Sequence, residues 1–186
     1  MISNKKGISV WVSAILYFGI GIVILTIMLT AGMPVINKMR DKNVAIQTKE
    51  VFHELDSTIR EVAKEGPGSQ RVTNLEIKKG KLNINDVNEL IIWGFETSAL
   101  LSEPGVKAKE GSIELFTDAD EVAKVDIYLL TYTLNYTCKL DLKVSPSGGL
   151  STVTGATKIV LTNGGVEETQ LSECEYKRTI INIKEI

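Results

Sequence analysis

The sequence predicts an α+β protein. A hydrophobic, transmembrane N-terminal helix continues through a kink at Pro34 into an amphipathic helix, and an antiparallel β-sandwich-like head follows. Three observations carry this. Residues Ile8 to Met33 include no charged side chain. Between Val35 and Lys64 the apolar residues recur at intervals of three, four or seven, which line one face of a helix. Past Gly68 the period falls to two, in short runs rich in Ile, Leu, Val, Thr and Tyr separated by turn residues.

The apolar run, as a helix rising ~1.5 Å per residue, would be about 39 Å long, enough to cross a hydrocarbon core of about 30 Å with some tilt. It is too long for the apolar stretch of an ordinary secretory signal, and Ala31-Gly32-Met33 is a poor small-x-small cleavage site. Before it stands a short basic leader ending in glycine, Met1-Ile2-Ser3-Asn4-Lys5-Lys6-Gly7. Charge bias alone does not orient the span. Lys38, Arg40 and Lys42 after it outnumber Lys5 and Lys6 before it, so the positive-inside count by itself favours the reverse topology.

The leader and the apolar run together resemble the class III signal peptide of archaeal type IV pilins and archaellins. The resemblance covers about the first forty residues. It implies cutting by a prepilin-type signal peptidase between Gly7 and Ile8, with the apolar helix left on the mature chain. It also implies that this helix first sits in membrane lipid and then packs against identical or other pilin-like subunits in a filament core, with the C-terminal part outside the cell. Many pilins carry Glu at the fifth mature position, where this chain has Val12. That departure bears on polymerisation, and it suggests a minor subunit or an anchored surface module that does not polymerise. A plain uncleaved anchor is the simpler reading of Lys5 and Lys6.

Within the apolar helix, Gly19 and Gly21, with Ser9 and Ser13 one turn apart, are small residues that let helices approach closely. Gly19-Ile20-Gly21 is no dinucleotide fingerprint, since it does not follow a strand. Trp11, Tyr17 and Phe18 fit either an interfacial belt or packing between subunits. Pro34 lacks a donor and crowds the carbonyl four residues earlier, so two helical segments are expected around it. The second presents Val44, Val51, Phe52, Leu55, Ile59 and Val62, and ends at Gly66-Pro67-Gly68. The organisation read from the sequence is therefore a leader (1–7), a membrane or filament-core helix (8–33), a helical stalk (34–66) and an extracellular β-domain (67–186).

In that β-domain Leu75 and Ile77 alternate up to Lys79-Gly80, and Leu82 and Ile84 resume beyond it, as in a hairpin. Later runs are Leu90 to Thr97, Ser112 to Thr117, Asp126 to Val144, Thr157 to Thr162 and Lys177 to Ile183, six or seven strands in all. The run from Asp126 to Val144 puts Tyr128, Leu130, Tyr132, Leu134, Tyr136, Cys138, Leu140, Leu142 and Val144 on one face, expected inward. At nineteen residues it is long for one strand, so a bend or bulge is expected. Asn135-Tyr136-Thr137 is an N-glycosylation acceptor with Asn135 on the outer face. Cys138 and Cys174 are the only cysteines and fit a disulfide in an exported domain.

The sequence offers no enzyme. His53 is its single histidine and lies in the polar helix, expected to stay remote from the β-domain, and no nucleophile elbow, phosphate loop or zinc spacing occurs. Asp118, Asp120 and Glu121 form an acidic cluster without the glycine and distal Glu of a calcium loop, more often a solvated turn than a metal site. No cofactor is expected. A net charge of −2 without a basic patch excludes a nucleic-acid binder.

Overall fold

The computed structural model describes residues 6–119, 127–145, 151–168 and 177–186. One helix, α1 (Lys6–Glu65), is followed by β1 (Gln70–Asn85), β2 (Leu90–Thr97), β3 (Lys107–Glu110), β4 (Ile113–Ala119), β5 (Tyr128–Asn135), β6 (Leu140–Ser145), β7 (Ser151–Glu167) and β8 (Arg178–Glu185). The expected division into two helical segments at Pro34 does not occur, because the helix carries the proline in its interior. The chain forms two compact units, Met1–Arg40 and Asp41–Ile186.

In the second unit, Asp41, Ala45, Thr48, Phe52, Leu55, Ile59 and Val62 are all buried, at intervals of four and three, while Val44 and Val51 flank them half-buried. These apolar side chains belong to one core with residues from every strand except β3, among them Leu75, Trp93, Leu115, Leu134, Leu142, Leu161 and Ile181. The stretch expected to be a polar stalk is thus part of the head's core. The helix stops at Glu65, with Gly66 at φ 95° as its left-handed cap. The orphan carbonyl of Val62 accepts from Ser69 Oγ (3.0 Å) and Asn163 Nδ2 (2.9 Å).

The strands form one hydrogen-bonded sheet, in the order β3-β4-β5-β2-β1-β7-β8-β6, not two packed sheets. All pairings are antiparallel except β6 with β8, which is parallel. The sheet cannot be flat. Five spacings of about 4.8 Å separate β5 from β6, about 24 Å, yet the link from Asn135 to Leu140 spans at most about 17 Å.

The fold-over lies at Lys78–Lys81. Ser69 sits against Val62 of the helix, Lys79 Nζ meets Asp41 Oδ1 at 2.6 Å, and Glu89 lies beside Tyr136, whose hydroxyl reaches Asp56. Ten strand residues cover about 33 Å, matching the ~31 Å of helix from Val62 to Asp41. The next ten residues return up the helix. The chain therefore does reverse at Lys79-Gly80 as the alternation suggests. Its two arms do not pair with each other: the first pairs with β7, the second with β2 and the start of β7. Register shifts there, between Ile77 and Leu82. Gly80, at φ 79°, is demanded by space as well, since a Cβ would lie 2.4 Å from the Gly94 carbonyl oxygen. Trp93 Nε1 donates to the Lys79 carbonyl at 2.8 Å and holds the corner.

The long run around Tyr136 is two strands, with a turn at 136–139 leading from β5 to β6. Leu130, Tyr132, Leu134, Tyr136, Leu142 and Val144 are buried as expected. Cys138 is not. It is exposed in the turn with φ 64°, because the break in the ladder takes it off the inner face.

Candidate functional site: the apolar helix surface

From Val10 to Met39 the large apolar side chains of the first unit are exposed. Val10, Trp11, Tyr17, Phe18, Leu25, Met28 and Leu29 are all more than half exposed. The most apolar 18-residue window has a mean hydropathy of 2.5 with none of it buried. Soluble monomers rarely expose a contiguous apolar patch beyond a few hundred Å², so this surface needs cover from lipid or from other protein. Length and composition suit a membrane-crossing helix.

The polar atoms in the segment are already satisfied in a way that suits an apolar setting. Thr26 Oγ1 donates to the Ile22 carbonyl at 2.8 Å and Thr30 Oγ1 to the Thr26 carbonyl, which removes both hydroxyl protons from the surface. Gly19, Gly21 and Gly32 have open space around them, with no atom within 4 Å of an added Cβ. With exposed Ser13, Gly19 and Gly21 leave notches in an otherwise bulky surface. Gly7, Ile8 and Ser9 lie in the first turns of α1, and their side chains lie outside the described residues.

Two buried carboxylates on α1 fix residues 41–65 to the sheet. Burial pushes Asp56 up, but hydrogen bonds from Arg60, Ser112 and Tyr136 outweigh it and hold the carboxyl below its ordinary value. Arg60 Nε is 2.9 Å from both carboxylate oxygens and Tyr136 Oη 2.7 Å from Oδ1. Burial and the neighbouring Asp56 charge push the Tyr136 hydroxyl up. Asp41 behaves alike: burial opposes ionisation, and Lys79, Thr97 and the Ser98 amide overcome it, so its pKa is lowered. At the far end of the head, buried Arg178 pairs with buried Glu89, whose φ is 57°.

Of the remaining residues singled out in the sequence, Asn135 is exposed at the end of β5, where its Oδ1 accepts the Thr137 amide (2.9 Å). Arg60, Lys109, Ser112 and Lys139 share a polar groove with it. His53 is exposed beside Gly111, in the β3–β4 turn, rather than remote from the β-domain, because its helix packs into that domain. Asp118 is the penultimate residue of β4, whereas Asp120, Glu121 and Cys174 lie outside the described residues. Among the described residues no group of three His, Cys, Asp or Glu side chains is placed to hold a metal ion.

The burial of Asp41, Ala45 and Thr48 was missed in the sequence, although they continue the 4-3 spacing of Phe52, Leu55, Ile59 and Val62. The signal was there, hidden by the polarity or small size of those residues. No family model, curated protein or solved structure matches this chain.

Proposed function

We propose that the chain is a structural subunit, a minor one in view of Val12, of an archaeal type IV pilus-like or archaellum-like surface filament, anchored and assembled through its N-terminal helix. The observation that carries this is the wholly exposed apolar surface from Val10 to Met39 on a chain that also builds a separate, well-packed unit. Lipid covers that surface before assembly, and neighbouring helices cover it afterwards, with Ser9, Ser13, Gly19 and Gly21 at the close approaches. The amphipathic and head segments lie outside the cell, Asn135 carries a glycan, and Cys138, which is not a free thiol, bridges to Cys174. The chemistry is assembly, without a cofactor or a catalytic step.

Val12 favours a second reading, an anchored surface module whose head binds a partner and which does not polymerise. Both need the anchor, and only the pilin-like reading needs the leader removed. Intact-mass measurement of protein from its native membrane decides this step: a mature chain starting at Ile8 supports the pilin-like reading, and retention of Met1 to Gly7 in every copy overturns it.

A further inference from the structure

A polar groove of about 500 Å³ lies wholly within the second unit, where three parts of the head meet. Helix α1 brings Asp56 and Arg60 to it, the β3–β4 hairpin brings Lys109 and Glu114, and β5 with the turn after it brings Asn135 and Lys139. No aromatic or large aliphatic side chain lines it, so an apolar occupant has nothing to pack on.

Its polar atoms divide into those engaged and those left over. Asp56 is saturated by Arg60 Nε, Ser112 and Tyr136. Glu114 has Oε1 on Lys107 Nζ at 2.8 Å and keeps Oε2. The terminal nitrogens of Arg60, the ammonium groups of Lys109 and Lys139 and the Thr133 hydroxyl have no hydrogen-bond partner among the described residues. Three cations and two carboxylates thus share one groove, with donors beside acceptors. A free ion of either sign would meet like charge on one side. A ligand dense in hydroxyl groups, each both donor and acceptor, suits the mixture.

Asn135 decides which such ligand. It is the acceptor of the Asn135-Tyr136-Thr137 glycosylation triplet. A backbone N–H only donates, so the side-chain atom 2.9 Å from the Thr137 amide is Oδ1, and Nδ2, the atom to which a glycan is joined, is left without a bond in the turn. Thr137 Oγ1 donates to the Asn88 carbonyl at 3.0 Å and holds that turn to the β1–β2 connection. A sugar on Nδ2 therefore starts at the wall of the groove, and the tether raises its local concentration far above that of a free saccharide.

We infer that the groove is the seat of the Asn135 glycan, whose first sugars lie across Arg60, Lys109 and Lys139 and strap the β3–β4 hairpin to α1. This rests on the glycosylation of Asn135 proposed above and not on polymerisation. The strap lies where the head is weakly held. Strand β3 is a four-residue edge strand paired with β4 alone, and its side-chain bond to the helix is the partly exposed Lys49–Glu110 pair at 2.6 Å.

The test uses the full chain in detergent, prepared glycosylated from its native membrane and unglycosylated from a host without N-glycosylation. Glycopeptide mass first reads the sugar on Asn135. Hydrogen exchange at residues 108–115 should then be about tenfold slower in the glycosylated chain, the effect of one hydrogen bond to a charged group, with β7 and β8 unchanged. Lys109→Ala with Lys139→Ala, still glycosylated, should lose most of that slowing; both lysines are exposed, so the fold should stand. The wild-type comparison decides even without the variant. Equal exchange in the two preparations, with sugar present on Asn135, would overturn the seat and leave the glycosylation standing. Slowing of the same size in the double variant would also overturn it, since a sugar that merely crowds the hairpin needs neither lysine. A bare Asn135 in every native copy would overturn the seat together with the glycosylation and leave the anchored helix untouched.

Discussion

Deleting residues 1–67 should abolish the fold of the remainder, whereas deleting residues 1–40 should spare it. Phe52, Leu55, Ile59 and Val62 are each 0% exposed in the core shared with the sheet. At about 1.5–3 kcal/mol per fully buried apolar side chain, these four contribute about 6–12 kcal/mol, as much as the whole net stability of an ordinary domain, about 5–15 kcal/mol. Their removal also opens the facing surfaces of Leu75, Trp93 and Leu134 to water and leaves Tyr136, Thr97 and Asn163 without helical partners. Near-UV circular dichroism and urea titration of fragments 41–186 and 68–186, side by side, provide the assay. The longer fragment should unfold cooperatively, and the shorter should show no fixed aromatic signal and no sigmoidal transition. A cooperative transition in the 68–186 fragment with a midpoint near that of 41–186 would refute the reasoning.

Two other outcomes follow from single residues. Because the Asp56 carboxyl is held below its ordinary 3.8, it contributes stability present above the unfolded-state value and lost as pH falls through the folded-state value; Asp56→Asn should cost about 1–3 kcal/mol at pH 7 and flatten the loss of stability below about pH 4, read from urea midpoints between pH 3 and 7. Asp41 acts in the same direction, so some acid sensitivity should remain in that variant. Gly80→Ala should destabilise the head by about 2–4 kcal/mol in thermal melts, since φ 79° and a Cβ contact of 2.4 Å with the Gly94 carbonyl must both be relieved; Gly32→Ala, in open space, should leave the melt unchanged.

What was legible in the sequence follows from which signals are local. An uncharged apolar run, a Gly-Pro-Gly stop and the alternation of Leu130, Tyr132 and Leu134 are each decided within a few residues, and each appears where the pattern put it. A lone proline ring costs a hydrogen bond and so predicts a divider at Pro34, yet sixty residues of continuous helix absorb that single loss. The single folded sheet was out of reach for a different reason. Alternation at Leu75–Ile77 and Leu82–Ile84 locates a reversal but does not tell which strands the two arms will pair with, and pairing with β7, about seventy to eighty residues away, is settled by the tertiary fold. The same limit hid the candidate surface's neighbour: a helix with Asp41, Thr48 and Asp56 on its inward face reads as a solvated stalk until Lys79, Thr97, Ser112 and Tyr136 are seen around it.

Gly19→Leu tests the central claim most directly, with membrane retention and sheared surface filaments assayed on the same cells. The glycine has open space around it in the single chain, and leucine is at least as compatible with lipid, so insertion should be preserved. If neighbouring helices approach closely at that notch, the variant should stay in the membrane and drop out of filaments that contain the wild-type chain. Filaments carrying the variant at wild-type abundance, or cells that shed no filaments containing this chain at all, would contradict assembly through the N-terminal helix.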